Sequence, residues 1–163
     1  MSRLAPWLIA AVLSLVPLTS AQALCIYRGD LNARTTLAQE FADSDRVVKA
    51  RVISATNGGG EADGGYWTLY RLETVRPFKG AMPDRFDLYT ERNSGGFYLD
   101  RDGGGPDVGG DYLLFLTPLE PSNRPVAARR AFRVNYSCGQ SRRWAEVEAA
   151  ETLTLESLAA RSR

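Results

Sequence analysis

VVKARVISA, residues 47–55, alternates between two faces. Val48, Ala50 and Val52 fall on one side, Lys49 and Arg51 on the other. A period of two belongs to a strand, since a helix repeats every 3.6 residues. One apolar and one charged side describes a sheet with a core beneath it and solvent above. Toward the C-terminus, residues 56–65 read TNGGGEADGG, and five glycines in ten predict a flexible loop without a regular element. Residues 66–78, YWTLYRLETVRPF, are aromatic and β-branched, which suits a pleated surface. Their imperfect alternation predicts a bulge. Pro77 has no amide to donate to a ladder, so it is expected at the strand end, with Lys79-Gly80 turning the chain.

Residues 85–90 alternate through Phe86, Leu88 and Thr90, and residues 97–99 predict a short strand. DRDGGGPDVGGD, residues 100–111, is a second glycine-rich connection. YLLFLT, residues 112–117, is almost continuously apolar, as a central strand would be. Three prolines turn residues 118–125, and residues 126–134 read as the last strand. Thr36 and Gln39 make a capping box for a short helix ended by Asp43-Ser44-Asp45. After Cys138-Gly139 the pattern becomes helical, with Trp144, Val147, Leu155, Leu158 and Ala159 along one edge and Trp144 as its anchor. The prediction is an all-β, five- or six-stranded Greek-key barrel flanked by N- and C-terminal helices.

The 163 residues contain 20 basic and 19 acidic side chains, two cysteines and no histidine. Histidine-based triads, histidine general bases and histidine-liganded zinc are excluded within the chain. Balanced charge argues against a general nucleic-acid binder. Arg3, the apolar run over residues 4–18 and Ala21-Gln22-Ala23 form a signal-peptide pattern that predicts cleavage before Leu24. The apolar run is too short for a retained span of about 20 residues. Residues 24–163 are then a single domain, exported to a periplasmic or extracellular space. Oxidising conditions there favour pairing of Cys25 with Cys138. A free reactive pair is the alternative; the chain has neither C-x-x-C nor a histidine to activate a thiolate.

Several segments in order carry a family likeness: an early cysteine, ADSDRVVKARVIS at 42–54, RPFKG at 76–80, FDLYT at 86–90, GGDYLLF at 109–115 and NYSCG at 135–139. This order resembles the tissue inhibitor of metalloproteinases and netrin-module superfamily, in particular its small bacterial secreted members. The resemblance covers most of residues 25–160. It implies an oligonucleotide/oligosaccharide-binding (OB) type barrel with helices packed outside. In the animal inhibitors an N-terminal C-x-C places the first cysteine's amine and carbonyl on a target's zinc. Here Cys25 matches the second cysteine of that pattern. Ala23 stands where the first would be, and Gly95 or Gly96 where its disulfide partner would be.

No catalytic residue and no cofactor is expected. The candidate interaction surface is the tip formed by Leu24, Cys25, Ile26 and Tyr27, with the 58–65 loop, Trp67, and Asn93 and Ser94 in the 89–98 region. A disulfide would hold the tip in place, and glycines would let its neighbours adapt. Asp100, Asp102, Asp107 and Asp111 are weak calcium candidates; the loop lacks the spacing of a helix–loop–helix site. Arg124, Arg129, Arg130, Arg133, Arg142 and Arg143 make the later chain basic, a second surface for an anionic partner. The expected function is an exported, non-enzymatic protein-binding module, its partner a zinc peptidase or an envelope component, without nucleic acid. The alternative is inhibition of a zinc metalloproteinase through the mature N-terminus. A carboxylate-based hydrolase ranks third, because flexible glycines do not hold two carboxylates at a fixed separation.

Overall fold

The structure is a computed structural model that describes residues 25–60, 65–93, 95–120 and 125–162. The signal segment, Leu24 and Ser94 lie outside the described residues. A small antiparallel pair, β1 (Ile26–Tyr27) and β2 (Asp30–Leu31), opens the chain and is followed by α1 (Leu37–Asp43). Thr36 caps α1 through the expected box with Gln39, and Ser44 ends it. The main sheet holds β3 (Arg46–Gly60), β4 (Gly65–Lys79), β5 (Arg85–Glu91), β6 (Asp111–Pro118), β7 (Phe132–Val134) and β8 (Arg142–Arg143). Its order is β3-β4-β5-β7-β6-β8, and β6 also pairs with β3, so five strands are linked in a ring. All pairings are antiparallel except β5 with β7. Helix α2 (Ala149–Arg161) closes the chain.

The glycines at 58–60 do not end a strand. Residues 56–60 extend β3 in register with Leu69 back to Gly65, Gly58 lying opposite Trp67. A β-carbon on Gly58 would stand 2.2 Å from the Trp67 indole, so the ring covers the space the glycine leaves. The cross-strand aromatic holds the glycines in a ladder that their own conformational freedom disfavours. Bulges interrupt the β3–β4 register at three places, as the uneven alternation of β4 requires. Pro77 sits inside β4 opposite Val48, next to one of these bulges, rather than at the strand end. Gly80 then turns the chain at φ +68°, with Asp45 and Arg46 closing over it.

Two further strands differ from expectation. Residues 97–99 form no strand; Phe97 and fully buried Leu99 pack into the core from an irregular segment, which ends in an isolated bridge between Asp100 and Pro106. Of residues 126–134 only Phe132–Val134 is strand, because Val126–Ala128 is a 3₁₀ turn that buries Ala128. After Cys138 the chain adds β8 and a second 3₁₀ turn, Trp144–Glu146, before α2 begins.

β6 is buried on both faces. Tyr112, Leu114 and Leu116 point into the ring with Val48, Val52, Tyr70, Leu72 and Leu88. Leu113 and Phe115 point outward beneath the helices, with Phe41, Val47, Phe78, Leu155 and Ala159. Trp144 stacks on Phe78 with ring centroids 6.2 Å apart and anchors the approach to α2. Among the described residues no helix is long and apolar enough to cross a membrane.

Candidate functional site

The register between β5 and β7 consists of the single pair Leu88 and Phe132. Beyond it the two strands part around a groove of about 410 Å³. One wall is Tyr89, Thr90 and Glu91 with the turn that follows; the other runs from Arg133 to Ser137. Cys25 and Ile26 close one rim, and Phe97 and Leu119 contribute apolar lining. The disulfide between Cys25 and Cys138 joins that rim to the chain just beyond the second wall. Cys25 is buried and Cys138 exposed. Further bonds hold the arm. The Asn32 amide donates to the Cys25 carbonyl at 2.7 Å, the Tyr136 hydroxyl to the Ala33 carbonyl at 3.1 Å, and the Gln140 side chain to the Thr35 carbonyl at 2.6 Å.

Of the expected interaction residues, Cys25, Ile26 and Asn93 line this groove. Tyr27 turns away from it. Its ring packs 5.0 Å from that of Tyr136, its hydroxyl bonds Asp43, and burial together with that carboxylate pushes its pKa up to about 12. Trp67 stands one layer behind the groove, against Tyr89, with its indole nitrogen buried and without a partner among the described residues. Asn93 belongs to a built turn rather than an adaptable loop: its side chain accepts from the Gly95 amide at 3.0 Å, and its carbonyl accepts from Gly96 and the Tyr98 hydroxyl. A β-carbon at Gly96 would meet the Glu91 carbonyl at 2.4 Å. The wall from Arg133 to Ser137 is not part of the expected N-terminal surface; only Arg133 of it belongs to the second, arginine-rich one. The signal for it was the cysteine pairing itself, since a residue tied to Cys138 must lie beside the residues that precede Cys138.

The four aspartates that are weak calcium candidates each lie beside a cation, Asp102 and Asp107 sharing Arg143. Asp100 receives Arg92 at 2.5 Å and the Tyr70 hydroxyl at 2.8 Å; Asp107 receives the Tyr112 hydroxyl at 2.9 Å. Asp111 pairs with Arg51 and Lys49, and exposed Asp102 faces Arg143 at 3.4 Å. Among the described residues no cluster of acidic side chains is arranged to hold a metal. Arg92 also donates to Thr68 and lies over the Tyr98 ring, so this network rivets the glycine-rich connection and the 93–98 turn to the ring. The Arg92 guanidinium holds the Asp100 carboxyl below its ordinary value.

Glu40 is fully buried on α1. It accepts from the Thr35 hydroxyl and from the Gln140 amide at 2.8 Å, while its second oxygen has no partner among the described residues. Burial raises its pKa; the Thr35 and Gln140 bonds and the Arg142 charge oppose the rise, and Asp43 adds to it. Because the folded-state value is raised, the stabilisation from Glu40 is complete below about pH 4.5 and is lost as pH rises from there through the raised folded-state value. Asp100 and Asp111 act in the opposite sense: their stabilisation is present above about pH 3.8 and is lost as pH falls through their lowered folded-state values. We expect the melting temperature to decline as pH rises above 4.5 toward neutrality, and Glu40→Gln to flatten that decline. Thermal melts of both proteins across this range check it, and parallel profiles would remove Glu40 as the cause.

No family model and no curated protein matches this sequence.

Proposed function

We propose that this chain is an exported, non-enzymatic binding module that receives a protein partner in the groove beside its N-terminal arm. Its ring is read as a closed barrel of OB type. The strand order β3-β4-β5-β7-β6 returning to β3, with one parallel pairing between β5 and β7, supports that reading. One observation carries the functional reading: Cys25 and Ile26, pinned through Cys138, share a groove with the wall of β5. A rim fixed by a covalent bond loses little entropy when a partner docks. Ile26 is 59% exposed and so contributes little to folding, which makes it a clean probe.

The test begins with crosslinking in the native envelope and identification of what is captured. Ile26→Asp should weaken that partner at least tenfold, about 1.4 kcal/mol, while the melting temperature stays unchanged. A folded variant that binds as before would sink the reading. If the captured protein is a zinc peptidase, titration of its activity should show stoichiometric inhibition. An added N-terminal residue should then abolish inhibition, if the amine is the inhibiting group.

A further inference from the structure

Resting on the binding reading above, we infer that the groove accepts an extended, acidic peptide segment of the partner as an added strand along β7. Three independent features converge on this occupant. The first is backbone direction. The Asn135 amide donates to the Phe115 carbonyl at 2.8 Å, and the Leu119 amide to the Ala131 carbonyl at 3.1 Å. The Ala131 carbonyl and the Asn135 amide therefore point toward β6 and the residue that follows it. By strand alternation the backbone groups of Phe132 and Val134 face the other way. Phe132 meets Leu88 there, and register pairing with β5 goes no further, so Val134 faces the groove. A strand laid along this edge would gain main-chain hydrogen bonds of the kind that drive β-augmentation.

The second feature is charge. Arg129 and Arg130 stand in the turn leading into β7, and Arg133 lies on β7 and lines the groove. All three are exposed, and none forms an ion pair among the described residues. By contrast Arg51, Arg71, Arg92, Arg142 and Arg143 each hold a carboxylate. The third feature is the rim. Ile26 lines the groove and is 59% exposed. A bound segment meets Arg133 on the β7 wall and Ile26 at the rim. A segment that carries both acidic and apolar residues is thus the pattern the site selects.

Panning the purified, disulfide-bonded protein against a displayed library of random linear ten-residue peptides tests this. Enriched sequences should be acidic, carry apolar residues as well and lack proline at the positions that bond β7. A synthetic copy of the best peptide should shift amide resonances of Val134 and its neighbours. N-methylation of its alternate amides should cost at least tenfold in affinity. Arg133→Glu should cost at least tenfold and be rescued by a peptide with lysine in place of the acid. Enrichment of basic or proline-rich sequences, indifference to N-methylation, or shifts mapping away from residues 132–136 would overturn the inference. Its failure is separable from that of the binding reading. A partner crosslinked in the envelope and lost with Ile26→Asp but kept with Arg133→Glu leaves the module intact and removes only the acidic-strand occupant.

Discussion

Replacing Cys25 and Cys138 together by serine is expected to lower the free energy of unfolding by about 3–5 kcal/mol. The bond closes a separation of 113 residues, and chain-entropy reasoning assigns a loop of that size roughly 4–5 kcal/mol through restriction of the unfolded chain. The folded state should respond unevenly. Cys25 is the first described residue, and the arm behind it is attached through the Asn32, Tyr136 and Gln140 hydrogen bonds and the pairing of β1 with β2. The ring core, built from Val48, Leu72, Leu88, Leu114 and their neighbours, does not include the disulfide. The double variant should therefore keep its sheet spectrum while amides of residues 26–32 lose hydrogen-exchange protection by more than the global change. Groove binding should fall with the arm, because Ile26 then has no fixed position. Denaturant unfolding of oxidised wild type against the variant reads the energy. A difference below about 1 kcal/mol, with the arm still protected, would show that the noncovalent contacts suffice.

The strands with one-sided or continuous apolar patterns were legible in the residues. VVKARV and YLLFLT became the paired β3 and β6 at the centre of the sheet, and the Thr36–Gln39 cap formed as written. What misled was glycine read in isolation. The propensity of Gly58, Gly59 and Gly60 says loop, yet a partner strand carrying Tyr66 and Trp67 converts them to ladder residues. That partner is a tertiary fact with no local trace. The same holds for residues 126–131, where Pro125 and the burial of Ala128 favour a 3₁₀ turn over the extended form. The candidate surface was half legible. A cysteine near the mature start pointed to Ile26, but nothing local tied Arg133 or Val134 to it. The partners of the aspartates were not legible, since each one's cation lies on another strand or turn: Arg92, Arg51 and Arg143.

The two faces of β6 give the second large effect. Leu114→Ala removes a fully buried side chain from inside the ring, and Phe115→Ala removes one from beneath the helices. Each is expected to cost about 3–5 kcal/mol, the transfer loss plus the cavity left behind. Their consequences should differ in place. Phe115 lies against Phe41 of α1 and Leu155 and Ala159 of α2, so its loss should free α2 in a partial opening before the ring unfolds. The cluster that holds Leu114 contains no residue of α1 or α2, so its loss should lower every slow amide together. The groove supplies a second readout. The Phe115 amide donates to the Ser141 hydroxyl at 3.0 Å and its carbonyl accepts from Asn135, and both are backbone groups that alanine retains. Phe115→Ala should therefore leave affinity for a groove-binding peptide within about twofold at temperatures where the protein is folded, despite the lost stability. If peptide affinity instead falls in step with stability, the groove's geometry depends on the helices packed outside the ring. The placement of the site on β5, β7 and the arm alone would then have to be given up.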